Sequence, residues 1–189
     1  MKSKWFSVFA LVLASIMCVS LAACSGGSGA KSNAIEPGSA FKDEADMAVV
    51  IGGVTYPVRV DSSAVIEALG GRDGCEYEET VSCVYKGYDK SFDFGGIKVS
   101  TVPVDDVDII EMFTLRSKDY TTPRGIAVGA TRQQVIDAYG ESYTSDDGYY
   151  ITYTQNGDPA DYSAMRVMFK MNGDAVEEIS VYSPSYTND

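Results

Sequence analysis

Apolar and polar residues alternate over several short stretches of this chain, and glycine-rich or acidic turns separate the stretches. Alternation with period two marks strands that bury one face. Residues 47–51 and 54–60 flank Gly52-Gly53, a dipeptide suited to a two-residue hairpin, and Pro57 places one of the pair at a sheet edge. Residues 91–94 and 97–102 flank Gly95-Gly96 in the same way, and 107–115 follow Pro103 and an acidic turn. Toward the C-terminus, 149–154, 164–171 and 175–182 read as a meander whose last turn is Asn172-Gly173-Asp174. Two segments carry helical spacing instead. Val65, Ile66 and Leu69 share one side of a helix over 62–69, which Asp61 or Ser62 opens and Gly70-Gly71 closes. Val135, Ile136 and Tyr139 do the same over 131–139, where Thr131 and Gln134 have capping-box spacing and Gly140 ends the helix.

The two helices match in sequence. Val65-Ile66-Glu67-Ala68-Leu69-Gly70 aligns with Val135-Ile136-Asp137-Ala138-Tyr139-Gly140, and each is followed by strands separated by polar turns. The expectation is an α+β protein. It is a tandem of two units, 41–120 and 121–189, each a helix plus a three-stranded antiparallel sheet, with the helices on one sheet face.

The N-terminus carries an address. Lys2 and Lys4 precede an apolar run too short to span a bilayer, and small residues then lead to a cysteine. Leu21-Ala22-Ala23-Cys24 resembles the lipobox of bacterial lipoproteins. The resemblance implies a signal peptide over 1–23, cleavage before Cys24, and acylation of Cys24 that anchors the protein on the extracytoplasmic face of the cell membrane. Residues 24–40, rich in Ser and Gly, are expected to be a flexible tether. The phrase from Gly125 to Gly140, GIAVGATRQQVIDAYG, resembles one found in the beta-lactamase-inhibitor-protein-like superfamily, which includes the small outer-membrane assembly lipoproteins. That likeness implies non-catalytic proteins that bind other proteins through an open sheet face.

Charge and composition narrow the chemistry. Lys+Arg number 15 against 27 Asp+Glu, a formal net charge of -12, which argues against a nucleic-acid partner. The chain has no histidine, which excludes Ser-His-Asp and Cys-His catalysis and imidazole metal sites. No cofactor or metal is expected. Asp105, Asp106, Asp108 and Glu111 lack the D-x-D-x-D-G calcium pattern and read as a solvated turn. Cys75 and Cys83 stand eight apart in an exported chain, and are read either as a disulfide or as free buried thiols.

Thirteen tyrosines suit half-buried strands, and some could form a binding surface. Period two sends Met165, Val167, Phe169 and Met171 toward the second helix, buries Ile179 and Val181 likewise, and sets Tyr149, Ile151 and Tyr153 together on one face of 149–154 with Tyr150 and Thr152 outward. The outward set is then Tyr150, Arg166, Met168, Lys170 and Tyr182. It is read either as a face for a protein or glycan partner, or as a half-solvated sheet. The leading function is a lipid-anchored, non-catalytic binding or envelope-interaction protein. The alternatives are an enzyme acting on cell-wall or carbohydrate substrates and a lipoprotein that senses a small ligand.

Overall fold

The computed structural model describes residues 35–184. The expected signal peptide 1–23, the acylation site Cys24 and most of the tether lie outside the described residues. The fold is α+β and dominated by antiparallel strands. In chain order the elements are α1 (Asp43–Asp46), β1 (Ala48–Ile51), β2 (Val54–Pro57), α2 (Ser63–Ala68), a 3-10 turn (Arg72–Gly74), β3 (Glu76–Val81) and β4 (Tyr88–Asp93). They continue as β5 (Ile97–Val104), β6 (Val107–Leu115), β7 (Tyr120–Thr121), α3 (Arg132–Tyr139), β8 (Ser145–Asp146), β9 (Tyr150–Thr154), β10 (Arg166–Asn172) and β11 (Ala175–Tyr182). A small sheet has the order β2-β1-β7, and an eight-stranded sheet the order β3-β4-β5-β6-β11-β10-β9-β8.

Register explains the layering of the large sheet. Tyr77, Phe92, Val99, Phe113, Val181, Val167 and Tyr153 stand opposite one another across seven strands. A second row runs Ile97, Leu115, Ile179, Phe169, Ile151. Both rows lie on the same face, and they share one core with Val65 and Ile66 of α2 and Val135 and Tyr139 of α3. The Tyr139 ring lies 5.1 Å from those of both Tyr153 and Phe169. Each large side chain so buried contributes about 1.5–3 kcal/mol.

Helix α3 forms as its sequence dictates. Thr131 Oγ1 accepts from the Gln134 N–H at 3.2 Å, and Gln134 Oε1 accepts from the Thr131 N–H at 2.8 Å, which completes the capping box. Gly140 ends the helix at φ +85, and a Cβ there would meet the Gly38 carbonyl oxygen at 3.0 Å. Only glycine meets both conditions.

The hairpin around Gly52-Gly53 forms as expected and belongs to the small sheet. Three expectations are corrected. Four strands follow each helix in the large sheet rather than three, because β3 and β8 belong to it. Strand β3 carries Glu76, Glu78 and Glu79 and exposes most of its residues, so it lacks the apolar alternation by which a strand is recognised. The boundary drawn between residues 120 and 121 falls inside β7, which pairs with β1. The tether ends before residue 40: the Gly38 N–H donates to the Ala138 carbonyl, and Arg124 Nη1 and Nη2 donate to the carbonyls of Ser39 and Ala40.

Candidate functional site

On the face of the large sheet opposite the core, the side chains form two further rows. One runs Glu76, Asp93, Lys98, Thr114, Ser180, Met168, Thr152. The other runs Glu78, Ser91, Ser100, Met112, Tyr182, Arg166, Thr154. All five residues of the expected outward set stand on this face, since Lys170 opposes both Tyr150 and Glu178 in register with the same alternation. Tyr150 is exposed, and Met168, Lys170 and Tyr182 are half-buried. Lys170 Nζ lies 2.8 Å from Glu177 Oε2, and that bond holds the ammonium above its ordinary pKa. Tyr149, which 149–154 placed inward beside Ile151 and Tyr153, stands in the turn before β9 and is exposed.

Arg166 requires a correction. It is only 7% exposed, so it is not available as an outward contact. The loop 155–165 folds over it. Its Nη2 donates to the Asp161 carbonyl, its Nε donates to the Ala164 carbonyl at 3.1 Å, and its guanidinium carbon lies 5.6 Å from the Tyr162 ring centroid. Arg166 therefore forms the floor beneath an exposed aromatic ring.

Nothing in the apolar pattern of the chain marks the loop as part of this surface. Tyr162, Ser163, Arg166, Met168 and Tyr182 together line a hollow of about 390 Å³ whose walls are mostly carbon. Tyr162 is 78% exposed on a loop that is nevertheless tightly bonded. Asp161 Oδ1 accepts from the Ser163 N–H at 2.9 Å and from Ser163 Oγ at 2.5 Å, and Asp161 Oδ2 accepts from Asn156 Nδ2 at 2.6 Å. The Asp158 N–H donates to Asn156 Oδ1, and the Ala160 N–H to Asp158 Oδ1. The available signal was the run of Asn156, Asp158, Asp161 and Ser163, side chains that fold a turn back on its own backbone. It marks a rigid loop, and it left the aromatic residue inside that loop unassigned.

At the other flank the face is polar. Arg116 bridges Asp93 at 2.7 Å and Glu178 at 3.2 Å, and the bond to Asp93 raises its pKa. Burial pushes the Asp93 carboxyl up, but the bonds from Arg116 and the Gly95 N–H outweigh it and leave it below the usual carboxylate value. Glu76 and Glu78 are exposed.

Cys75 and Cys83 are not bonded to each other. They lie at opposite ends of β3, and strand rise sets such ends roughly 25 Å apart, far beyond disulfide reach. Burial raises the Cys75 thiol, whose Sγ donates to the Arg72 carbonyl, whereas Cys83 is exposed. The reading as two buried thiols is corrected for Cys83 as well.

A larger open hollow of about 520 Å³ lies beside Met47, Val58 and Met165. Its Arg59 is occupied, with Nε donating to Ser183 Oγ at 2.6 Å and Nη2 to the Pro184 carbonyl at 3.4 Å. Among the described residues, no three Cys, Asp or Glu side chains converge as metal ligands, and no helix is long and apolar enough to cross a membrane. In comparisons with known proteins, no family model, no curated protein and no solved structure matches this chain.

Proposed function

We propose that this chain is a lipid-anchored, extracytoplasmic, non-catalytic binding protein that meets a protein partner through the open face of its large sheet. The observation that carries the reading is the hollow between Tyr162, Met168 and Tyr182, an apolar patch on a face whose other side chains are mostly polar or charged. Aromatic residues and methionine concentrate at the centres of protein interfaces. A loop whose backbone is bonded by its own side chains gives up less backbone freedom on contact, which lowers the entropic cost of binding.

The finer architecture belongs to the same reading. It is a tandem in which α2 leads into β3–β6 and α3 into β8–β11, and the antiparallel pairing of β6 with β11 supports it. The anchor rests on the Leu21-Ala22-Ala23-Cys24 sequence.

The test is photo-crosslinking in the native envelope. A benzoylphenylalanine at Met168 should give a discrete protein adduct, while one at Val54, 53% exposed on the small sheet, should not. Equal adducts at both positions would place the contact elsewhere.

A further inference from the structure

We infer that the occupant of the open face is a basic polypeptide segment, which seats an apolar side chain in the Tyr162–Met168–Tyr182 hollow and lays its cations over the β3–β4 flank. The inference rests on the proposed reading of this face as a protein-binding surface and adds the chemistry of the partner. The face is polarised. Its hollow lies at β10, and five strand spacings away, about 24 Å, stand Glu76 and Glu78 on β3. Among the described residues neither glutamate has an ion-pair partner.

Most cations of the same face are engaged: Arg116 is shared by Asp93 and Glu178, Lys170 is held by Glu177, and Arg166 is covered by carbonyls. Lys98 stands opposite Asp93 on β5 with no ion pair among the described residues, and Glu76 and Glu78 outnumber it, so the charge left over is negative, in keeping with a chain of formal net charge -12. A second copy would set acid against acid, and an anionic lipid surface would be repelled in the same way. A partner with a basic patch and a protruding apolar side chain satisfies both ends of the face. The apolar end governs how long it stays, and the acidic end how fast it arrives.

A defined peptide tests this without knowledge of the natural partner. A fluorescein-labelled probe carries a lysine block and a tryptophan separated by about seven extended residues, which spans the face. Fluorescence anisotropy with the full-length protein should show saturable binding that weakens as salt rises. Tyr162→Ala combined with Tyr182→Ala should lose about tenfold in affinity and keep the salt dependence. Glu76→Lys combined with Glu78→Lys should lose about as much and flatten the salt dependence. Unchanged melting temperatures establish that both variants fold. Equal binding of a probe with glutamates in place of the lysines overturns the partner chemistry, yet leaves the face as a binding surface if the tyrosine variant still fails. Binding that ignores both pairs of substitutions overturns the face as well. Binding of chito-oligosaccharide with no binding of any peptide overturns both in favour of a glycan.

Discussion

Arg124 is a buried side chain held by five hydrogen bonds. It is 2% exposed and faces Asp46, which is 0% exposed, through two bonds of 2.6 and 2.7 Å. Its remaining donors reach the carbonyls of Ser39, Ala40 and Ala138, and its guanidinium carbon lies 4.6 Å from the Tyr139 ring centroid. The arm that leads into the body is thereby fastened to the end of α3. Burial disfavours the charged guanidinium, and the bond and charge of Asp46 more than restore it, raising the pKa of Arg124 above its ordinary value. Removing one partner leaves a buried charge without compensation, so Asp46→Ala should cost about 3–5 kcal/mol in chemical denaturation, whereas Asp46→Leu with Arg124→Met should cost less. A single substitution costing under 1 kcal/mol would contradict the clamp. This pair was not legible in the chain. Asp46 and Arg124 are 78 residues apart in segments without regular apolar spacing, and nothing local distinguishes them from other charged residues. Val167, Phe169, Ile179 and Val181 were legible, because alternation along a strand is itself the record of which face is buried.

At the scale of elements, the sequence spoke clearly where local chemistry and packing agree. The capping box of α3 and the β10–β11 meander are of that kind. It was silent on β3, a strand held by its pairing with β4 despite three glutamates, and on loop 155–165, whose order comes from side chains bonding the backbone. That loop yields a prediction about pH. The Ser163 hydroxyl, then the Ser163 N–H, hold the Asp161 carboxyl below its usual value of 3.8, with smaller help from Asn156 and the Ala164 N–H. A carboxyl depressed in the folded state adds stability that is complete above 3.8 and is lost as pH falls through the lower folded value. The Ser163 amide resonance should therefore titrate with a midpoint below pH 3.8. Movement with a midpoint at or above that value would show that the loop is not held by this carboxylate.

At the scale of the whole molecule, two meanders meet edge to edge at β6 and β11, so one long sheet offers one continuous surface away from the core. Sequence alternation reached that surface and named Met168, Lys170, Tyr150 and Tyr182 on it. It missed that Arg166 is roofed by a loop, because the roof is eleven residues without strand or helix pattern. The central claim is that this surface is covered when the protein sits in its own envelope. Hydroxyl-radical footprinting measures it directly, since methionine and tyrosine side chains are oxidised according to their exposure. The account predicts that Tyr162, Met168 and Tyr182 are oxidised less in the native envelope than in the purified protein, while Tyr88, 49% exposed at the far end of β4, is oxidised equally in both. Equal oxidation of Tyr162 and Met168 in the two preparations, or protection confined to Tyr88, would contradict it.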